Sequence, residues 1–155
     1  MNTQLMNTMV ESEGRYLTEE ERERFRGYAL GMRDRIDRAR RLEELEDELV
    51  EGVQRYVQET HGASFAEETN REKISRDVRL HLRYIALAHI NDDLPWFVSQ
   101  YAEWIAQMIS MFTAPETLVA AYERLGTLIG ELLDPADARE LERFNAAFVQ
   151  ELRTP

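Results

Sequence analysis

The chain of 155 residues contains no cysteine. That removes disulfide scaffolds, thiolate metal sites, zinc fingers, cysteine nucleophiles and thioether-linked cofactors together. Lysine is almost absent as well: Lys73 is the single one, and every other basic residue is an arginine. The 7 glycines are scattered and the prolines number 4. No glycine-rich phosphate loop, Gly-x-Ser-x-Gly elbow or His-Glu-x-x-His pair exists, so no catalytic motif is present and the expectation is a protein that is not an enzyme. Positive charge is also in deficit, with 19 Lys+Arg against 30 Asp+Glu and a net charge of -11. Such a surface cannot displace counterions from nucleic acid and is repelled by anionic membranes. The longest run without a charged residue, Trp104 to Pro115, is too short to span a bilayer. The opening MNTQLMNTMVESEG lacks the basic and apolar regions of a signal peptide. These exclusions leave a single cytoplasmic domain over residues 1–155, with neither nucleic acid nor membrane as partner.

What the chain does contain is helix. Thr18-Glu-Glu-Glu21 is a capping box, and the helix it opens is expected to weaken or bend at Gly27–Gly31. From Ile36 through Ala39, Leu42, Leu45, Leu49, Val50, Val53 and Val57, steps of three and four trace one apolar stripe, which His61-Gly62 closes. Another helix runs from about Glu67 to Ile90. Asp92 or Asp93 caps the next, which starts at Pro95 and reads as the most buried element, with Trp96, Phe97, Tyr101, Trp104 and Phe112. Thr113-Ala-Pro-Glu116 and Asp134-Pro135-Ala-Asp137 open two further helices. No segment alternates with period two. The acidic run Glu43 to Glu51 reads as a solvated face rather than a calcium or di-iron site, since Glu-x-x-His pairs are missing. The expected class is all-α.

The segment Lys73-Ile74-Ser75-Arg76-Asp77-Val78-Arg79-Leu80-His81-Leu82-Arg83-Tyr84 resembles the chromophore-bearing helix of phycobiliproteins, the light-harvesting globin relatives such as allophycocyanin. Glu13-Gly14-Arg15-Tyr16-Leu17-Thr18 is similar to the start of that family's paired N-terminal helices, and the likeness covers nearly the whole chain. It implies a globin-like body over 33–152 behind an N-terminal helical extension over 1–32. The family's bilin-linking cysteine falls at Ile74, so a thioether bond is impossible, and its aromatic pair after Arg-Asp becomes Leu80-His81. With these departures the chain resembles the divergent branch called bilin biosynthesis-associated globins.

The resemblance implies that Asp77 lies under the pyrrole nitrogens and that Arg76 holds a propionate. Lys73, Asp77, His81 and Tyr84 follow one another at helical steps of four, four and three, so they are expected to share one face and, with Arg76, to hold the ligand. Lys73 then offers a second cation, and His81 a donor to a lactam oxygen or to Asp77. A carboxylate accepting from a pyrrole N–H is a charge-assisted hydrogen bond of roughly 1.5–3 kcal/mol. Noncovalent binding of a linear tetrapyrrole, biliverdin or phycocyanobilin, by a carrier or sensor is the leading expectation. The bland alternative keeps Arg76, Asp77 and Lys73 as exposed ion pairs and the chain as a ligand-free interaction protein. A third reading takes His89, in Ala86-Leu87-Ala88-His89, as the ligand of a haem. Trp96, Tyr101 and Trp104 read as core aromatics before pocket walls. The resemblance also implies a homodimer through the N-terminal helices, with Glu13 pairing across to Arg83 and with Tyr16 at the interface.

Overall fold

The computed structural model describes residues 2–62, 68–110 and 115–154, and among them every regular element is a helix. In chain order these are α1 (Thr3–Glu11), α2 (Glu19–Glu44), α3 (Glu46–His61), α4 (Glu68–Asn91) and α5 (Leu94–Phe97). A single π-helical turn (Val98–Ala102) follows, then α6 (Glu103–Ser110), α7 (Pro115–Leu132) and α8 (Pro135–Arg153). The all-α expectation holds. The expected capping box at Thr113 lies outside the described residues.

Local chemistry explains most boundaries. The Thr18 hydroxyl accepts from the Glu21 N–H at 3.3 Å, while the Glu21 carboxylate accepts from the Thr18 N–H at 2.7 Å. Arg15 grips the same carboxylate through two bonds of 2.8 and 2.9 Å, giving the Arg-Tyr-Leu-Thr motif a structural task. The Arg15 guanidinium first, and the Thr18 N–H second, hold the Glu21 carboxyl down at about 2. Gly62 ends α3 with φ +84°, where a side chain would be strained. After α4, the Asp92 N–H reaches His89 C=O and the Asp93 N–H reaches Ala88 C=O, a Schellman closure with Asp92 in the left-handed position at φ +50°. The buried Asp93 carboxylate then caps two helices, accepting from Trp96 N–H in α5 and from Thr3 N–H at the start of α1.

Two boundaries differ from expectation. The helix does not break at Gly27–Gly31; α2 runs unbroken to Glu44, and the chain turns at Leu45 instead. The expected division at residue 32 thus falls inside one helix. Gly31 leaves room rather than flexibility, because a Cβ there would sit 2.6 Å from Arg35 Nη1. Arg35 is buried, donates to the carbonyls of Tyr28 and Ile90, and lies over the Tyr28 ring at 4.6 Å. At Leu45 the two helices meet at one turn residue, whose N–H closes α2 on Arg41 C=O and whose C=O accepts the first bond of α3 from Leu49 N–H.

The core forms where α3, α4, α7, α8 and the 94–110 segment meet. Its largest fully buried side chains include Phe97, Phe144, Phe148, Leu82, Ile85, Leu125 and Ile129. The expected most-buried element, 95–111, has an outer face: Trp104 is 58% exposed while Phe97 and Tyr101 are buried. Helices α3 and α7 approach closely at Gly52, where an added Cβ would meet Leu128 Cδ1 at 2.7 Å. Gly52→Ala is therefore expected to lose about 1–2 kcal/mol, the overpacking strain exceeding the gain in helix propensity. A thermal melt should register that loss as a fall of a few degrees, and an unchanged midpoint would disprove the tight contact.

Candidate functional site

On α4 the helical spacing brings Lys73, Ile74 and Asp77 to the mouth of a cavity of about 170 Å³. Its walls are Val57 from α3, Val78 from α4, and Leu118, Ala121 and Tyr122 from α7, with Asn70 and Thr117 completing it. Apolar side chains therefore form the interior, and one cation and one carboxylate stand at the opening. Asp77 is half exposed and accepts from Arg76 Nε at 3.1 Å, in an ion pair whose guanidinium is largely in solvent. Lys73 is exposed and makes neither an ion pair nor a hydrogen bond among the described residues. The Tyr122 phenol, buried at the back, is raised well above its ordinary pKa, by burial first and by the Asp77 charge second.

His81 and Tyr84 do not join this group. His81 is fully buried, with Nδ1 3.2 Å from the Tyr101 hydroxyl and Nε2 3.0 Å from Asn145 Oδ1. The Asn145 amide nitrogen donates to the Tyr122 carbonyl at 2.9 Å, which turns Oδ1 toward the histidine. Nε2 must therefore carry the proton, leaving Nδ1 to accept from Tyr101. Burial pushes the His81 pKa down to about 4. The expectation that His81 reaches a ligand or Asp77 is corrected by this closed network. The cause is helical drift: each step of four residues rotates about 40°, so His81 lies about 80° round from Lys73. Tyr84 returns to the same angle but about 16 Å further along the axis, where it stacks on Tyr101 with ring centres 4.2 Å apart.

His89 is also a core residue, 1% exposed, with its ring edge-on to Phe144 at 6.0 Å. Neither ring nitrogen has a hydrogen-bond partner. Burial, followed by the charges of Arg143, Arg38 and Arg35, holds its pKa at about 4. An axial haem ligand needs an open face, and packing against Phe144 argues against that role.

The expected interface residues lie apart within one chain. Tyr16 is 95% exposed and Glu13 is exposed. Arg83 is bonded to Glu46 at 3.0 Å in its own chain, and Arg79 shares that carboxylate at 2.8 Å. Glu46 thus leaves the solvated acidic face expected for residues 43–51. Arg83 also borders an open groove of about 590 Å³ between α2 and α4, floored by Ile36, Ala39, Ala86 and Ile90. Among the described residues, no group of three or more His, Asp or Glu side chains converges as metal ligands, and no helix is long and apolar enough to cross a membrane.

The helical architecture and the cavity beside α4 together define an all-α, globin-like protein. A family model for phycobilisome proteins matches residues 7–152, and the chain belongs to that family. Its members bind linear tetrapyrrole bilins and are light-harvesting structural proteins rather than enzymes. No curated protein matches the chain.

The residues at the cavity fit a bilin in kind. Apolar walls suit pyrrole rings, Asp77 can accept from pyrrole N–H groups, and Lys73 can pair with a propionate, whereas Arg76 lies outside the cavity in its ion pair with Asp77. In size the enclosed space falls short of the roughly 300–1,000 Å³ usual for ligands of this bulk. The enclosed space is large enough for only part of such a ligand.

Proposed function

We propose that the chain binds a linear tetrapyrrole, biliverdin or phycocyanobilin, without a covalent bond. It would serve as a cytoplasmic carrier or sensor in bilin metabolism, in the manner of bilin biosynthesis-associated globins. The observation that carries this reading is the trio Lys73, Ile74 and Asp77 at the mouth of one apolar cavity. The apolar Ile74 stands where the resemblance places the family's linking cysteine, so a retained pigment depends on the apolar walls, Asp77 and Lys73, with Arg76 beside them. A large ligand binding at about 0.3 kcal/mol per non-hydrogen atom can still reach sub-micromolar affinity.

Titration with biliverdin and phycocyanobilin tests this. A sharpened, red-shifted long-wavelength band is expected, and Asp77→Ala should weaken binding by roughly 10- to 150-fold, the worth of one charge-assisted hydrogen bond. Lys73→Ala should cost less, because a solvated cation contributes less than a carboxylate seated under the rings. The absence of any spectral change with either pigment would overturn the reading. It would instead favour a ligand-free interaction protein, which the small enclosed volume and the Arg76–Asp77 pair support.

Self-association belongs to the same proposal. Tyr16 and Leu30 are 95% and 75% exposed, and Ile36 and Leu87 about half exposed, on α2, the segment before it and α4. A second copy covering these residues and the α2/α4 groove would remove apolar area from water. Glu13 of that copy can then reach Arg83, in competition with Glu46. Sedimentation at tens of micromolar should show a dimer that Tyr16→Glu dissociates; a monomeric wild-type chain counts against it.

A further inference from the structure

Four side chains stand in line from the surface into the core. Trp96 is half-buried and borders a surface pocket of about 320 Å³ with Thr3, Met6, Asn91 and Asp93. Its ring is near-parallel to Tyr84, with centroids 6.4 Å apart. Tyr84 is stacked on Tyr101 at 4.2 Å and 17°. Tyr101, 2% exposed, donates its hydroxyl proton to His81 Nδ1, whose acceptor state is set by Asn145 on the far side. The backbone is adjusted to hold this line. Tyr101 sits in the π-helical turn, where the Glu103 N–H reaches back to Val98 C=O. Widening that turn offsets the drift of about 40° that a regular helix would put between Phe97 and Tyr101.

We propose that Trp96, Tyr84, Tyr101 and His81 form a relay for one-electron oxidation, accepting a hole at the Trp96 surface and storing it on Tyr101. The co-reactant is a one-electron oxidant, an organic radical or photo-oxidised dye. It gains one electron from Trp96; Trp96 is refilled from Tyr101 through the stacked Tyr84 ring, which keeps its own hydroxyl proton throughout. The Tyr101 O–H bond then breaks, an N–H bond forms at His81 Nδ1, and the products are a neutral phenoxyl radical and an imidazolium. An oxidised phenol is a far stronger acid than any imidazolium, so a buried and weakly basic histidine still takes the proton. The Nε2–H bond to Asn145 steadies the positive charge that results. The net charge of -11 favours approach of cationic oxidants. The relay is independent of what the cavity binds.

The test uses the full chain without pigment, with ruthenium tris-bipyridine as photosensitiser and persulfate as electron acceptor, followed by flash absorption and electron paramagnetic resonance. A long-lived tyrosyl radical is expected, shielded from dimerisation by burial and formed more slowly in D2O because a proton moves with the electron. Tyr101→Phe should abolish it. Tyr84→Phe and Trp96→Phe, which keep an aromatic ring in place but cannot carry the hole, should reduce its yield; circular dichroism checks that each variant folds. Persistence of the long-lived radical in Tyr101→Phe overturns the relay, as do undiminished yields in both ring-preserving blocks or a formation rate indifferent to D2O. The D2O comparison needs no variant, so the proposal remains open to refutation if a substituted chain fails to fold.

Discussion

Asn145→Ala is expected to lower the free energy of unfolding by roughly 3–5 kcal/mol, most of the margin of a domain whose total is about 5–15 kcal/mol. The side chain is 3% exposed and serves two buried groups at once, His81 Nε2–H and the Tyr122 carbonyl. Truncation strands both, at roughly 1–3 kcal/mol each, and opens a small void between α7 and α8. Gly126 packs directly on the amide, since a Cβ there would meet Asn145 Nδ2 at 2.9 Å. Urea unfolding measures the loss. A double-mutant cycle with His81→Leu should show that the two losses are far from additive, since each removes the same bond. A cost below about 1 kcal/mol for Asn145→Ala would mean that the network is not formed in solution.

Acid should destabilise the protein from near pH 6.5, earlier than paired carboxylates alone would dictate. His81 and His89 are both held at about 4 in the fold, against an ordinary 6.5 when unfolded. Between those values the unfolded chain binds more protons, so stability is whole above pH 6.5 and is lost as the pH falls toward 4. Each histidine accounts for about 3 kcal/mol of that loss. Together they rival the total stability. Glu21 adds its own loss lower down, as the pH falls from the ordinary carboxylate range toward about 2. His89 offers the cleaner test, because it faces Arg35, Arg38 and Arg143, with only Asp92 opposing them, and bonds to none of its neighbours. His89→Leu is expected to stabilise the fold at pH 7 by about 1–3 kcal/mol, because a buried imidazole with no partner becomes an apolar side chain. It should also flatten the fall in stability between pH 6.5 and 4.5. A variant less stable than wild type, or equally steep with pH, would contradict this account.

The helices were legible wherever the boundary chemistry is local. Thr18 with Glu21, Gly62, Asp93 ahead of Pro95, and Asp134 ahead of Pro135 each mark an end that the structure reproduces. Helix α1 was implied only by the N-terminal helical extension over 1–32 and had no bounds of its own, because it buries little besides Leu5 and Thr8 and so shows no apolar stripe. The turn at Leu45 was illegible for a related reason: the apolar stripe continues through it, so periodicity alone does not reveal it. The π-helical turn likewise has no signature in the residues that form it.

At the candidate site, Lys73 and Asp77 share a face because one helical turn separates them, which the sequence alone dictates. The absence of cysteine equally dictated that Ile74 carries no covalent pigment. Tertiary structure decided the rest. It determined that α7 supplies the back of the cavity through Leu118, Ala121 and Tyr122, that His81 closes a network with Asn145 and Tyr101, and that Arg83 pairs with Glu46. Local patterns follow from backbone geometry over one or two turns, whereas these pairings join residues 20 to 64 positions apart. Only the packing of whole helices selects among the many partners that a polar side chain can accept.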